Sequence, residues 1–263
     1  MAKKLSFQTV SLGTEPSVPK MEDLAGWISG RRGRETDLVA YFLENGLLPQ
    51  IQAKIGNICA GGRFYGKRWL ECLTGVEGTQ IVGEPGSLPG PVINDALDIN
   101  DHIKDARVAV PAPHLLGLKD TYFGDDDEMQ DALAEQYRNI MRAMRDSGIA
   151  GHVLHCDRII EHELEQLASK KVFFHPMDVD RDGLQTLLEY QRIVALEPSK
   201  LHLVEEVEEE YEIDRIVLLH PSTESLAGLL RIRDPDKIST GGYCIEECHR
   251  FWDDLVSASV IVR

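Results

Sequence analysis

From Ala106 onward the chain alternates between short apolar or β-branched runs and amphipathic stretches. The runs are 106–113, 151–157, 171–176, 192–198, 215–221 and 236–242. The clearest helical stretch between them places Met129, Ala132, Leu133, Tyr137, Ile140, Met141 and Met144 three to four residues apart and ends at Gly148. Leu203, Val207 and Tyr211 mark an outer helix beside the acidic run 205–214. Strict alternation of strand and helix predicts parallel strands joined by right-handed crossovers. Residues 5–12 read as an opening strand. The Gly- and Pro-rich region 50–99 is less regular, with one strand expected near 51–58 or 79–83. Seven or eight such strands in this length predict an α/β fold, a (β/α)8 TIM barrel in one domain over 1–263. An irregular or incomplete N-terminal part is left open. A doubly wound open sheet is the rival, but no GxGxxG follows the first strand.

Charge and composition narrow the function classes. The 263 residues hold 28 Lys or Arg against 44 Asp or Glu, a formal charge of −16. That excess argues against a general nucleic-acid binder and against adhesion to an anionic membrane. No run approaches the length of a membrane span, and no apolar segment follows the basic start as a signal peptide requires. Five cysteines, an odd number without a CxxC pair, predict a reduced, cytoplasmic protein.

In a barrel, chemistry gathers at the carboxyl ends of the strands. Those ends supply His114, His155-Cys156-Asp157, His175, Glu197, His220 and Gly241-Gly242-Tyr243-Cys244. Imidazole, carboxylate and thiolate are zinc-type ligands, and catalytic zinc keeps one position open. His175, Glu197 and Cys244 form the candidate metal set, with His155 or His220 as a fourth ligand or a general base. The alternative is a metal-free layer of hydrogen-bonded histidines. Arg31, Arg32 and Arg34 read as an exposed basic loop, with an anionic substrate tail as the other use. Asp125 to Asp127 read as a helix cap rather than a metal site. Met129, Met141 and Met144 read as core, and Cys59 and Cys72 as buried thiols. Cys248 follows Cys244 at helical spacing, so both can face one site.

Several segments, in order along the chain, are similar to one family. Gly13-Thr14-Glu15-Pro16 resembles its Gly-Ser-Phe-Pro turn. Residues 34–42 resemble its Arg-Asn-Asp-Met-Val-Glu-Tyr-Phe segment. Tyr65-Gly66-Lys67-Arg68 and Ile81-Val82-Gly83 resemble its Tyr-Gly-Ser-Arg and Ile-Ile-Val-Gly pieces. Asp146-Ser147-Gly148-Ile149 with the strand to Asp157, and Leu255-Val256-Ser257-Ala258, complete the set. The chain resembles the catalytic barrel of cobalamin-independent methionine synthase, within the uroporphyrinogen-decarboxylase-like barrels. The resemblance implies a zinc enzyme in which the metal activates an acceptor thiol for attack on a methyl donor. It carries the family's His, Glu and Cys ligands onto His175, Glu197 and Cys244. It also places Asp157, or Cys156, where the acceptor is oriented.

Two departures redirect that expectation. Met177 stands where the family's second strand-five residue is Cys, so one thiolate is absent. Arg32 falls near the glutamate that holds the homocysteine amino group, which favours an anion there. The reading is therefore a zinc-dependent methyl- or alkyltransferase to a small thiol with a negatively charged tail. Its catalytic residues are Asp157 and His220, and its substrate-binding residues are Thr14, Arg32, His114 and His155. Its partners are the thiol and an alkyl donor, without nucleic acid or membrane, and a homo-oligomer is left open. The alternatives are a small-anion-binding barrel that has lost the metal site and a metal-assisted hydrolase or lyase using His155, His175, His220 and Glu197.

Overall fold

The structure, a computed structural model, describes residues 4–31 and 36–262. It contains two four-stranded parallel sheets. In chain order their strands are β1 (Gln8–Thr14), β2 (Cys59–Gly61), β3 (Arg107–Pro111), β4 (Gly151–Cys156), β5 (Val172–Pro176), β6 (Ile193–Leu196), β7 (Arg215–Leu219) and β8 (Ile238–Cys244). One sheet runs β6-β7-β8-β1 and the other β2-β3-β4-β5. Ten α-helices lie among the described residues. Those the site and its supports depend on are α2 (Leu38–Gln52), α3 (Gly66–Glu71), α4 (Gly90–His102), α5 (Asp126–Asp146), α6 (Glu161–Leu167), α7 (Arg181–Tyr190), α8 (His202–Val207) and α10 (Cys248–Ala258); α1 (Met21–Gly30) and α9 (Thr223–Leu229) complete the series.

The strand period of two separates two cores. Val10, Leu12, Cys59, Ala109, Val153, Phe173, Ala195, Val217 and Leu219 pack together on one face of the strands. Every strand contributes a side chain except β8, which brings Gly241 to this face. A Cβ there would meet the Val217 side chain at 2.6 Å and the Val10 carbonyl at 2.7 Å. The opposite faces of the strands and the helices share the larger core.

The two sheets adjoin along both edges, and each junction has its own device. Between β1 and β2 a parallel bridge joins Val10 to Asn57. There Asn57 N–H donates to Thr9 (2.9 Å) and Ser11 N–H to Asn57 (2.8 Å). Between β5 and β6 the Gln191 side chain stands in for a ladder. Its Oε1 accepts from Phe174 N–H at 2.9 Å, and its Nε2 donates to the carbonyls of Phe174 (3.0 Å) and Ile193 (2.9 Å). Gln191→Met leaves those strand groups without partners, so it is expected to cost about 1–3 kcal/mol in urea unfolding. A loss of only a few tenths would mean that other contacts hold this junction.

The expected strands of the second half are present, one or two residues shorter at most ends, and the last runs two residues longer, to Cys244. The helix expected around Met129 is α5, capped by Asp125, whose carboxylate accepts from Asp127 N–H and Glu128 N–H. Met141 and Met144 are buried, and Met129 is half-buried. Leu203 and Val207 are buried on α8, and Tyr211 lies beyond its end.

The region 50–99 departs from expectation. No strand covers 51–58, because α2 continues to Gln52. Gln50 of that helix instead bonds both backbone groups of Cys59 (2.9 and 3.0 Å). The second parallel strand is only three residues long. Gly61 ends it at φ +77°, where a Cβ would lie 2.5 Å from the Ala109 carbonyl. So brief a strand leaves no alternation to read. Residues 79–83 do fall largely within a strand, Gln80–Ser87, paired antiparallel with Leu73–Glu77. No helix among the described residues is long and apolar enough to cross a membrane.

Candidate functional site

On β4, β5, β6 and β8 the inward face continues at the carboxyl end into His155, His175, Glu197 and Tyr243. On β4 and β5, His155 and His175 follow inward Val153 and Phe173 by two residues, and their rings lie 5.3 Å apart. His155 Nε2 bonds the Leu12 carbonyl at 2.7 Å, which fixes the proton on that nitrogen and leaves Nδ1 bare. Nδ1 of both histidines is buried without a partner. Burial pushes His155 down to about 4. Burial, then the nearby His155 and His220, pushes His175 down to about 3. Both are neutral imidazoles at physiological pH.

A second cluster comes from β1, β2 and β8. Gly13 bends the end of β1 at φ +110°, with room for no side chain. Glu15 N–H then donates to the Cys244 carbonyl at 2.7 Å, which brings the Glu15 carboxylate over the strand ends. The Tyr243 hydroxyl donates to that carboxylate. Arg63, just past β2, approaches the same carboxylate through Nε (3.4 Å) and donates its backbone N–H to the Tyr243 oxygen (3.3 Å). Its guanidinium also reaches the Met177 sulfur at 3.5 Å. The Tyr243 ring lies 4.6 Å from the His155 ring, so the two clusters are continuous. Burial and then Glu15 raise the Tyr243 pKa, so the phenol stays a donor.

Beside His175, Glu197 Oε1 lies 3.5 Å from His220 Nε2, both half in solvent. His220 takes φ +43°, a left-handed turn that an ordinary residue enters at a cost, and its ring packs 5.5 Å from Phe251. That conformation turns the imidazole back toward Glu197.

The other expected site residues are placed elsewhere. His114 is clamped between two carboxylates, Nδ1 to Glu163 and Nε2 to Asp157, each at 2.8 Å. Burial works against its charge, but Glu163 and then Asp157 outweigh it and raise its pKa. Asp157 therefore meets His114 rather than His155 or His175. Thr14 is fully buried and its hydroxyl, without a partner, faces Gly46 of α2. Arg32 lies outside the described residues. Arg31 is not part of an exposed loop: its guanidinium stacks on Trp27 and pairs with Glu44 (3.0 Å) and Asp98.

Cys244 differs most from expectation. Its side chain belongs to the outer core, against α10, and it forms a disulfide with Cys248. The expectation of wholly reduced cysteines is corrected there, while Cys59, Cys72 and Cys156 are free and buried. The spacing of four residues did foreshadow contact between the two sulfurs, but across the start of a helix rather than at the strand mouth. The zinc-type set does not fit as it stands. His175 and Glu197 belong to the mouth, whereas Cys244 belongs to the layer behind it. Among the described residues no three His, Cys, Asp or Glu side chains converge as a metal requires.

Glu15, Arg63 and Tyr243 were not singled out by sequence. Glu15 and Tyr243 sit inside segments already read as strand ends, so their position carried a signal. Arg63 could not be read because its strand, β2, was not located.

An α/β chain of two parallel sheets, with its polar residues gathered at the carboxyl ends of the strands, is the class defined here. No protein-family model matches it, and no curated protein matches it by sequence. Its fold is that of B12-independent methionine-synthase-like structures. One is a Listeria monocytogenes protein assigned as a vitamin-B12-independent methionine synthase, 15% identical, with a TM-score of 0.68 over 97% of this chain and 96% of that one. Another is a B12-independent methionine synthase from Shewanella sp. W3-18-1, solved with selenomethionine. It is 13% identical, with the same TM-score and coverage of both chains.

Proposed function

We propose that the chain is a methyl- or alkyltransferase acting on a small thiol, and that its two sheets close into a single-domain (β/α)8 barrel over 1–263. The devices at both sheet junctions and the shared inner core support closure. The methionine synthases that share the fold support a thiol acceptor. The observation that carries the reading is the Glu197–His220 pair standing beside two neutral imidazoles and the Arg63–Glu15–Tyr243 cluster.

In this reading Arg63, whose side chain is 41% exposed, binds the anionic group of the acceptor. Arg31 is occupied by Glu44 and Asp98, and Arg32 and Arg34 lie outside the described residues, so that role is assigned here to Arg63. His220, oriented by Glu197, takes the thiol proton. The new S–C bond forms as the bond from carbon to the donor's leaving group breaks, and the leaving group keeps the electron pair. His155 and His175 stay uncharged and line the path without repelling the electrophile. With Cys244 turned away, no step is routed through zinc. The hydrolase reading meets the same obstacle, since His155, His175, His220 and Glu197 do not converge on one metal position.

The test is a thiol-loss assay with a methyl sulfonium donor and small thiols that do or do not carry a carboxylate. Carboxylate-bearing thiols are expected to turn over at least about tenfold faster, the scale of one charge-assisted hydrogen bond. If no thiol is consumed while small carboxylates still bind, the chain is an anion-binding barrel instead.

A further inference from the structure

The opposite, amino-terminal ends of the strands carry a feature that the mouth does not explain. Arg107, Lys171 and Arg215 each precede an inward-facing residue by two positions, namely Ala109, Phe173 and Val217. Arg107 stands in β3 and Arg215 in β7, so by the strand period both belong to the floor of the inner face, and Lys171 lies in the turn just before β5. The register places Arg107 opposite Gly151. His152 N–H donates to the Lys171 carbonyl at 2.7 Å, which sets Lys171 on the other side of the same glycine. Gly151 contributes no side chain, and a Cβ there would lie 2.5 Å from the Lys171 carbonyl. Arg107 and Lys171 thus lie on either side of Gly151, whose Cβ position is filled by the Lys171 backbone. They stand two strand spacings apart, about 10 Å between backbones.

A cavity of about 500 Å³ opens at this floor, between β5 and β6, lined by Arg107, Lys170, Lys171 and Arg192 among others. This is within the size range of small-ligand sites. The carboxylates facing it are Glu189 and Asp214. Glu189 accepts from the Tyr211 hydroxyl, and Arg192 is paired with Glu212 at 2.6 Å. No carboxylate among the described residues lies within ion-pair distance of Arg107 or Lys171. Arg215, across the floor, donates to the Gln8 amide oxygen at 2.9 Å rather than to an acid. On a chain of charge −16, cations left unpaired around a cavity are out of keeping with the rest of the surface.

We propose that this floor binds a small polyanion carrying two adjacent phosphoryl groups, held between Arg107 and Lys171 across Gly151. The guanidinium supplies a planar fork for one phosphoryl group, and the flexible ammonium closes on the other. A single monovalent ion would meet only one of them. The site is independent of the thiol-transfer reading.

The measurement is calorimetric titration of the full chain with inorganic pyrophosphate at about 20 mM salt, repeated at about 200 mM, where screening shortens the reach of the charges. One site per chain is expected, weakening as salt rises. Lys171→Gln and Arg107→Gln are each expected to weaken binding about tenfold, the scale of one charge-assisted contact. Arg250→Gln, on an exposed turn of α10, is expected to bind like the parent. Arg107 is partly enclosed by strands, so exposed Lys171 carries the decision if Arg107→Gln fails to fold. No binding up to about 1 mM pyrophosphate at low salt overturns the proposal, since two such contacts should exceed that affinity. Parental affinity in Lys171→Gln overturns it as well.

Discussion

Replacing Arg68 with Met is expected to lower the unfolding free energy by about 3–5 kcal/mol at pH 7, the cost of leaving a buried partner charge uncompensated. Arg68 sits on α3 with its side chain 4% exposed, and Asp95 on α4 is 3% exposed. Arg68 Nε donates to Asp95 Oδ2 at 2.8 Å, and the Tyr65 hydroxyl donates to the same oxygen at 2.8 Å. The other two guanidinium nitrogens reach Glu71 and Asp37, each at 2.6 Å. Those two carboxylates are about half exposed, so water replaces Arg68 for them at a cost of about 0–1 kcal/mol each. Asp95 has no such recourse, and it decides the magnitude. Asp37 adds a smaller consequence, because its other oxygen caps α2 through Ala40 N–H.

The pH dependence follows from the same residue. Burial holds Asp95 up at about 6, against the pull of Arg68 and Tyr65. That is above its unfolded value near 3.9. Its contribution is therefore fully favourable below about pH 4 and is lost as pH rises through about 6. Without Arg68 the carboxyl rises further, and protonation relieves the variant more than the parent. The stability gap should narrow between pH 7 and pH 5 in urea unfolding. Arg68→Met with Asp95→Asn should recover part of the loss, since no buried charge remains. A single-variant loss below about 1 kcal/mol would show that water reaches Asp95 and that the helices α2, α3 and α4 are joined by other contacts.

The Arg68 network also shows what sequence could and could not convey. Tyr65-Gly66-Lys67-Arg68 was legible as a segment similar to a family motif, yet its service here is structural. Nothing in the spacing of Arg68 and Asp95, 27 residues apart, forecasts that they meet in the core. The alternation from Ala106 onward was legible because each strand of the two parallel sheets there is four to seven residues long and the helices between them present apolar stripes. The three-residue β2 is too short for that signal, and in the hairpin before β3 a bulge and several glycines break the alternation. The site divides along the same line. His155, His175, Glu197 and His220 were readable because strand ends in such folds share one mouth. Arg63 was lost with its strand. Cys244 lies away from the mouth because parity along β8 turns it outward, toward α10, whereas its neighbour Tyr243 turns in.

His220→Ala is expected to lower kcat for thiol alkylation by about 10²–10⁴, the usual contribution of a positioned general base. In the proposed reading KM should change little, because there Arg63, and not His220, holds the acceptor's anionic group. In the same reading Glu197 acts on the acceptor only through His220, so Glu197→Gln should lower kcat less, and it should shift the alkaline-rising limb of the pH–rate profile rather than erase it. A purely structural role for His220 would instead lower Tm and leave that limb in place in whatever enzyme remains folded. Cys244→Ser separates this reading from a zinc-thiolate site. Cys244 lies in the outer core and its sulfur is bonded to Cys248, so the variant should lose some stability and retain kcat. If Cys244→Ser instead abolishes turnover, and the parent carries about one zinc per chain that the variant has lost, the thiolate must swing into the mouth when reduced. His220 would then cease to be the group that activates the acceptor. The two variants thus assign the acceptor's proton either to an imidazole held by Glu197 or to a metal that this arrangement of side chains does not assemble.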